Sequence, residues 1–315
     1  MKYRKLGASG LEISEISLGS WMTVGGSIED ATSAELVRRA FDLGVNFFDT
    51  ANAYNAGKAE EILGKELAQF KRSSVVVATK TFWDLESGPN LLGLSRKHIM
   101  ESCDASLKRL NMDYVDLFQC HRYDPTTPLL ETLRALDDLQ SAGKILYAGV
   151  SQWSAAEILE ARRLARKHNL RPLISDQPVY NLLNRGQEKE VMPACDEVGM
   201  GWVIYSPLAQ GLLTGKYANG KLPKGSRAAD EKRGQWLKAL LTPENLKKTK
   251  GLAELARSLT LSSSQLALAW ALSKKTVASA ITGATSVSQL EENAKASDIT
   301  LSAKTLTELE SLFPL

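Results

Sequence analysis

The sequence predicts an α/β protein, a closed (β/α)8 TIM barrel with loops on its C-terminal face and extra helices. Eight short apolar segments alternate with helix-like segments along the 315 residues, and no shift in composition resembles a linker. Such alternation requires a parallel sheet with right-handed crossovers, and eight units suit a closed barrel. We therefore expect one barrel domain over residues 1–315.

The predicted strands are short runs of buried-type residues that end at a polar residue or a glycine. The second strand, for example, contains Phe47 and Phe48 and stops at Asp49. The eight predicted strands cover 14–18, 45–48, 74–80, 114–120, 145–150, 173–176, 202–205 and 277–281.

The segments between the strands carry apolar residues at helical spacing. In the first of them Leu36, Val37 and Phe41 recur on one face, and Gly44 follows as a C-terminal stop. Ser95 is placed to cap a later helix. The predicted helices cover 30–43, 59–70, 96–110, 128–141, 154–168, 188–198, 249–258, 262–273, 287–294 and 302–312.

An open, doubly wound sheet is the alternative fold, and it normally carries a GxGxxG fingerprint after its first strand. The turn here reads Gly19-Ser20-Trp21-Met22, which lacks that fingerprint. The run from Gly211 to Lys216 is one residue short between its glycines for a P-loop, and Tyr217 replaces the required Ser or Thr. The barrel is therefore preferred, and an NTPase is rejected.

The overall charge and the cysteines restrict the function classes. The net charge of +3, from 39 basic and 36 acidic residues, is too small to indicate nucleic acid as the main partner. The three cysteines form no CxxC pair and no metal-ligand spacing with the histidines, which suits a reducing compartment. No run of about 18 apolar residues and no secretion signal is present. We expect a soluble cytoplasmic protein without direct membrane insertion.

The ends of the second and third strands suggest a catalytic group. Asp49 follows the second strand, Tyr54 comes shortly after it, and Lys80 closes the third. Because the loops of a barrel converge on the carboxyl ends of its strands, these three side chains can meet there. A Lys80 ammonium oriented by Asp49 would lower the pKa of Tyr54 and make the phenol a general acid. The alternative is a turn residue, a solvated lysine and a core tyrosine.

The other strand ends carry mostly amide, hydroxyl and aromatic groups. His121 is either a hydrogen-bond donor to a carbonyl oxygen or a structural residue. Tyr205 is either a stacking face for a flat ring such as nicotinamide or a core residue. The set lacks the carboxylate and histidine cluster of a metal hydrolase and the second carboxylate of a glycosidase, so no metal site is predicted. The remaining strand-end residues are Trp21, Ser151, Gln152, Gln177 and Gly283.

Two stretches near the last strands suit an anion. The segment 215–233 includes Lys216 and Arg227, and it is either a phosphate-gripping loop or a solvated surface loop. The run 283–286 opens a helix, whose N-terminal amides make a natural anion site. Phosphate sites near strands seven and eight recur in barrels.

Several motifs extend over nearly the full chain: Tyr3-Arg4-Lys5-Leu6-Gly7, Phe48-Asp49-Thr50-Ala51 with Tyr54, Ala78-Thr79-Lys80, the run 93–99, His121-Arg122-Tyr123-Asp124-Pro125, Tyr205-Ser206-Pro207-Leu208, and Gly283-Ala284 through Gln289 to Glu292-Asn293. These motifs resemble those of the aldo-keto reductases, in the branch that includes the potassium-channel β subunits and their bacterial relatives.

The resemblance implies a barrel that uses NADPH to reduce aldehydes or ketones to alcohols. By this likeness Tyr54 donates the proton, Lys80 and Asp49 tune it, and His121 orients the carbonyl. Hydride comes from nicotinamide C4 of a cofactor bound extended over the barrel mouth. The positions that match cofactor-binding residues are Trp21, Asp49, Ser151, Gln152, Gln177, Tyr205, Ser206, Pro207, Leu208, Gln210, Lys216, Arg227, Gly283, Thr285, Gln289, Glu292 and Asn293.

Two positions depart from patterns that are common among these relatives. Many members have Asn or Arg where Gln152 stands, and many have Arg, which pairs with a 2′-phosphate, where Gln289 stands. The preference for NADP over NAD is therefore the weaker inference, with Arg227, Lys216 and Thr285 as substitutes. The channel subunits often carry Asn in place of His121, so this histidine favours a competent reductase.

Two other functions stay open from the sequence. One is a cofactor-sensing accessory subunit of a membrane or redox complex, and the other is a barrel isomerase or lyase without nicotinamide. The expected substrate is a small carbonyl compound; Trp21, Phe82 and Trp83 indicate only a partly apolar pocket. Relatives form rings and monomers alike, so a homo-oligomer is left open.

Overall fold

An antiparallel hairpin precedes the barrel in the computed structural model, which describes residues 1–83, 88–217 and 234–315. The hairpin consists of β1 (Tyr3–Lys5) and β2 (Glu12–Ser14). It was not predicted; the sequence suggested a single strand over 14–18. Leu6 and Ile13 of this hairpin are fully buried in the apolar cluster that fills the barrel. The hairpin therefore contributes to the barrel core.

Eight parallel strands close into the predicted barrel. They follow one another around it in chain order, and the last strand pairs with the first. The predicted α/β fold with a (β/α)8 barrel is thus confirmed. The barrel strands are β3 (Ile16–Gly19), β4 (Phe47–Asp49), β5 (Val76–Thr81), β6 (Val115–Cys120), β7 (Ile145–Val150), β8 (Ser175–Asp176), β9 (Gly201–Ile204) and β10 (Val277–Thr282).

Helices follow the strands, with bounds close to the predicted ones in most cases. They are α1 (Asp30–Asp42), α2 (Lys58–Leu67), α3 (Arg96–Leu110), α4 (Leu129–Ser141), α5 (Ala155–Lys167), α6 (Val191–Val198), α7 (Gln235–Lys238), α8 (Pro243–Ser258), α9 (Ser263–Leu272), α10 (Val287–Ala294) and α11 (Ala303–Leu312).

Two of these helices differ from the prediction. Helix α8 begins at Pro243 rather than at residue 249, because Thr242 caps it by accepting from the backbone N–H of Asn245 and proline suits the first turn. The short helix α7 was not predicted. In the described part of the chain, no helix combines the length and apolar character needed to cross a membrane.

The barrel interior changes from apolar to polar along the strands. Phe47, Val76 and Ala78 belong to the buried apolar cluster inside the barrel. Successive side chains of a strand point to opposite faces, so Asp49 points to the same side as Phe47, and Lys80 to the same side as Ala78. The fold thus places a carboxylate and an ammonium at the carboxyl ends of adjacent strands, above an apolar floor.

Candidate active site

Lys80 is fully buried and is the centre of a hydrogen-bond cluster. Its Nζ lies 2.7 Å from Oδ1 of Asp49, 2.8 Å from the carbonyl oxygen of Thr50 and 3.3 Å from Oη of Tyr54. The second carboxylate oxygen of Asp49 accepts from Nε2 of Gln177 at 2.9 Å. Lys80 is 0% exposed and Asp49 is 3% exposed. The structure therefore brings together the three residues that the sequence grouped.

The three protons of the ammonium have three acceptors in this cluster. An ammonium has no lone pair, so Lys80 must donate to the phenol oxygen of Tyr54 rather than accept from it. The phenol proton is consequently directed away from Lys80. Because Tyr54 lines the large cavity at the barrel mouth, this proton is available to a ligand there.

The backbone after Tyr54 is strained. Asn55 and Ala56 have φ values of 49° and 54°, in the left-handed region that costs a residue with a Cβ about 1–2 kcal/mol. Asn55 compensates by donating from Nδ2 to the carbonyl oxygen of Val24 at 2.6 Å. Strain of this kind clusters at functional sites, where surrounding contacts fix an unusual conformation.

The pKa of Tyr54 shifts in the direction opposite to the prediction. Burial raises the pKa of the phenol, and the Lys80 ammonium, which lowers it, does not outweigh that effect. Burial alone would lower the pKa of Lys80, but Asp49 and the hydrogen bonds hold it above its ordinary value. The expected lowering of the Tyr54 pKa was wrong because the cost of burying a phenolate is larger than the gain from the cation. At neutral pH Tyr54 keeps its proton and Lys80 keeps its charge.

His121 lies beside Tyr54 with its imidazole neutral. The ring centres of His121 and Tyr54 are 5.6 Å apart, with the ring planes at 76°, and the ring centre of Trp83 lies 4.8 Å from that of the imidazole. Burial first, and then the charges of Lys80 and Arg122, hold the His121 pKa well below its ordinary value. A neutral imidazole carries one N–H, so His121 is able to donate one hydrogen bond at the cavity wall.

A cavity of about 1140 Å³ opens above this cluster. Ligand pockets usually measure about 300–1,000 Å³, so there is room for an extended dinucleotide and a small second ligand. Most of the predicted cofactor residues line it: Trp21, Asp49, Ser151, Gln177, Tyr205, Ser206, Pro207, Leu208, Gln210, Lys216, Gly283, Thr285, Gln289, Glu292 and Asn293.

Gln152 is the predicted cofactor residue that the described structure leaves out of the cavity lining. Its Nε2 donates to Oη of Tyr205. Arg227 falls outside the described residues. Gln152 therefore orients the Tyr205 ring.

The loop after β9 is held by amide side chains, one of which the sequence did not indicate. Asn181, which is 3% exposed, donates from Nδ2 to the carbonyl oxygen of Ser206 at 2.9 Å. Gln210 donates to Oγ of Ser206 at 2.8 Å. Asn181 lies beyond the strand end at Gln177, so a search limited to strand ends passes over it. It lines the cavity together with Tyr205.

The N-terminus of α10 forms the other end of the cavity lining. Ser286 caps the helix, and Oε1 of Gln289 accepts from both the backbone N–H and Oγ1 of Thr285 at 3.1 Å. The amide oxygen of Gln289 is thus engaged by Thr285 within the same turn. Its remaining Nε2 group is neutral, so it offers a phosphate less than a guanidinium would.

The residues present suit a nicotinamide dinucleotide. Tyr205 supplies an aromatic face, Ser151, Gln177 and Asn181 supply polar groups, and Lys216 supplies a cation, all in the lining of the same cavity. Such a combination of an apolar pocket with a few placed polar groups is typical of a cofactor site.

Comparison with known proteins decides the family. The model of the Aldo/keto reductase family matches residues 15–313, nearly the whole chain. The chain belongs to the Aldo/keto reductase family. Membership supports an oxidoreductase function, and aldo/keto reductases generally bind NAD(P)H and act on small carbonyl compounds.

Among aldo/keto reductase relatives, several are named as channel subunits. A probable voltage-gated potassium channel subunit beta from Oryza sativa subsp. japonica is 46% identical over 302 residues, which cover 95% of this chain and 92% of the relative. The Arabidopsis thaliana protein of the same name is 44% identical over 302 residues, with the same coverage. A putative voltage-gated potassium channel subunit beta from Schizosaccharomyces pombe is 42% identical over 305 residues, which cover 93% of this chain and 87% of the relative. The predicted resemblance is confirmed.

Proposed function

We propose that this protein reduces aldehydes or ketones to alcohols with NADPH, and that Tyr54 is the general acid. The observation that carries the proposal is that all three protons of the Lys80 ammonium have acceptors. Lys80 therefore donates to the phenol oxygen of Tyr54, and the phenol proton is left for a ligand in the cavity. A proton donor beside a neutral imidazole, at the wall of a dinucleotide-sized cavity, suits the reduction of a carbonyl group.

Each residue of the cluster has a distinct role in the proposed reaction. The bound cofactor supplies a hydride to the carbonyl carbon. Tyr54 gives its proton to the carbonyl oxygen, and Lys80 stabilises the phenolate that remains. Asp49 keeps Lys80 charged and fixed in position. His121 donates a hydrogen bond to the same carbonyl oxygen and orients it.

The cofactor is proposed to lie along the cavity from Tyr205 to α10. The Tyr205 ring, fixed by Gln152, provides the stacking face for nicotinamide. Lys216, with Arg227, is proposed to bind phosphate. The NADPH preference rests on these cations, since Gln289 is neutral.

The test of Tyr54 is the oxidation of NADPH in the presence of a panel of aldehydes. The wild-type protein should turn over, and Tyr54→Phe, which keeps the ring and removes only the acidic proton, should lose most of its activity. Tyr114→Phe is the matched control, because that tyrosine lies outside the cavity lining. Equal rates for wild type and Tyr54→Phe would refute the assignment.

A cofactor-sensing accessory subunit is the second candidate function. The names of the relatives, probable or putative channel beta subunits at 42–46% identity, favour it. Tight nucleotide binding with slow turnover, and a stable protein partner in a pull-down, would support this function over a dedicated reductase. The presence of His121, and the hydrogen bond that Lys80 donates to the phenol oxygen of Tyr54, favour the reductase.

The setting of the protein is part of the proposal. All three cysteines are buried and free, as suits a reducing compartment such as the cytoplasm. We infer a cytoplasmic protein with one barrel domain and a small carbonyl substrate. A homo-oligomer stays open, and sedimentation analysis would decide it.

A further inference from the structure

Arg122 occupies a position at the cavity that the proposed reaction does not use. It follows His121 directly after β6 and lines the cavity near the Tyr54 cluster. Its side chain is half-buried. Nη1 donates to the carbonyl oxygen of His121 at 2.5 Å, and the guanidinium carbon lies 5.2 Å from the centre of the Trp83 ring. These two contacts fix the guanidinium at the cavity wall.

The charge of Arg122 is not balanced by a carboxylate of the described residues. Other sheltered arginines do have such partners: Arg72 pairs with Asp116 at 2.7 Å, Arg109 with Glu60 at 2.7 Å, and Arg185 with Glu188 at 2.7 Å. For Arg122, ranges 1–83, 88–217 and 234–315 provide a carbonyl oxygen and an aromatic face. A partly desolvated cation that has no counter-ion among these described residues favours an anionic ligand.

The guanidinium is close to the place where the carbonyl group is proposed to react. Trp83 contacts the Arg122 guanidinium and also lies 4.8 Å from the His121 ring, which is 5.6 Å from the Tyr54 ring. Burial and the charge of Lys80 lower the pKa of the His121 imidazole most, and the charge of Arg122 adds to that lowering. A ligand of modest size can therefore contact Tyr54 and Arg122 together.

The other charges of the lining do not compensate Arg122. Asp49 is already paired with Lys80 at 2.7 Å. Glu292 belongs to α10, on the side of the cavity that is proposed to hold the cofactor. Among the described lining residues, the Arg122 guanidinium is accompanied by the indole rings of Trp21 and Trp83, which are 37% and 36% exposed.

We propose that Arg122 is a specificity-determining residue that selects carbonyl substrates carrying an anionic group, either a carboxylate or a phosphate, on an apolar body that packs against Trp21 and Trp83. The proposal rests on the proposed reductase function. A guanidinium suits this role because its planar donors match the oxygens of either anion in a bidentate arrangement.

The test compares pairs of aldehydes that differ in charge. The first set contains 2-, 3- and 4-formylbenzoate, each against its methyl ester, and the second contains 4-formylphenyl phosphate against 4-methoxybenzaldehyde. NADPH oxidation gives kcat and KM for the wild type and for Arg122→Gln. Arg163→Gln is the charge-matched control, because Arg163 is an exposed residue of α5 that pairs with Glu160.

The wild type should prefer the anionic aldehyde in at least one pair. Whether that aldehyde carries a carboxylate or a phosphate then identifies which of the two anions Arg122 recognises. Arg122→Gln should lose about 10- to 100-fold in kcat/KM for that aldehyde, mostly through KM, and little for its neutral counterpart. Arg163→Gln should match the wild type. A wild type without preference in any pair, or an equal loss on both members of a pair in Arg122→Gln, would overturn the proposal.

A binding measurement separates this proposal from the reductase proposal. If no aldehyde is reduced, the reductase assignment fails, and calorimetry with the alcohols 4-(hydroxymethyl)benzoate and 4-(hydroxymethyl)phenyl phosphate on the NADP⁺-loaded protein still tests Arg122. Binding of either anion that Arg122→Gln weakens about 10-fold or more and Arg122→Lys partly restores supports the anion site. Absence of binding to the wild type, or unchanged binding in Arg122→Gln, overturns it.

Discussion

Nζ of Lys80 lies 3.3 Å from Oη of Tyr54 and donates to it, because the carboxylate of Asp49 and the carbonyl oxygen of Thr50 accept the other two ammonium protons. This direction of the hydrogen bond leaves the phenol with a proton to give and a cation to stabilise the phenolate afterwards.

Replacing Lys80 by methionine should cost both activity and stability. Without the ammonium the phenolate of Tyr54 has no cationic partner, so kcat should fall about 10²- to 10⁴-fold. Asp49 is left buried without a counter-ion, so the free energy of unfolding should fall by about 3–5 kcal/mol. Aldehyde kinetics and urea unfolding measure the two effects.

The matched control for Lys80→Met is Lys144→Met, which breaks an exposed pair with Asp104. Exposed pairs contribute about 0–1 kcal/mol, so this variant should keep its activity and nearly all of its stability. Activity that survives in Lys80→Met would show that the ammonium has no role in proton transfer.

The pH profile of reduction should be broad. Tyr54 acts in its protonated form, and since burial raises the pKa of the phenol, activity should decline on the alkaline side only above the ordinary tyrosine range. His121 acts as a neutral donor, and since burial and the neighbouring cations lower its pKa, the acid decline should lie well below the ordinary histidine range. Measurement of kcat/KM against pH tests both, and an alkaline decline near neutral pH contradicts the assignment.

The sequence predicted the fold well and the electrostatics of the site less well. Alternation of apolar runs with helical patterns gave the eight strands, and the strand ends gave Asp49 and Lys80. The direction of the Tyr54 pKa shift was not predictable, because it depends on how completely tertiary packing removes water from the phenol. Local sequence carries no measure of that burial.

Residues outside strand ends were the hardest to assign. Asn181 supports the loop after β9 from a turn that begins beyond Gln177, and only the folded chain brings it to Ser206. The strands of the hairpin β1–β2 have three residues each, which is too short to show the alternation of apolar and polar residues that indicates a strand. Its place under the barrel depends on contacts with residues far along the chain.

The turn of that hairpin should be intolerant of a side chain at one glycine and tolerant at another. Gly7 has φ +59°, and a Cβ there would lie 2.4 Å from the carbonyl oxygen of Gly199 and 2.6 Å from the backbone nitrogen of Gly201. Gly7→Ala should therefore destabilise the protein by more than about 2 kcal/mol. Gly10→Ala, with nothing within 4 Å of its new Cβ, should stay within about 1 kcal/mol of wild type. Urea unfolding of the two variants distinguishes them, and equal stabilities would contradict the packing.

Asp176 should make the protein less stable as pH rises. Burial raises the pKa of this carboxyl to about 8, and the nearby backbone N–H groups of Trp153, Gln152 and Gln177 lower it less than burial raises it. The folded state therefore holds a proton that the unfolded chain releases above its carboxyl pKa of about 4. Between these two values the unfolded state binds fewer protons, so the free energy of unfolding falls with rising pH.

Asp176→Asn should flatten that dependence, because the amide does not titrate. Urea unfolding at pH 5, 6, 7 and 8 provides the measurement, and Asp113→Asn on the surface should retain the wild-type slope. The same slope in wild type and Asp176→Asn would assign the pH dependence to another group.

Gln289 offers a direct test of the proposed cofactor position. Its side chain accepts from Thr285 and leaves only a neutral amide N–H group for a ligand. An arginine at this site brings a cation to the rim beside the N-terminus of α10, so Gln289→Arg should strengthen binding of NADPH relative to NADH by about 10-fold. Fluorescence titration with each nucleotide gives the ratio of dissociation constants.

The control for Gln289→Arg is Glu291→Gln on the same helix. It removes a negative charge from a residue that pairs with Arg39 outside the cavity lining. If Gln289→Arg strengthens both nucleotides equally, the added charge acts on the shared phosphates. If it changes neither, the 2′-phosphate does not lie at α10, and the proposed course of the cofactor from Tyr205 to this helix is wrong.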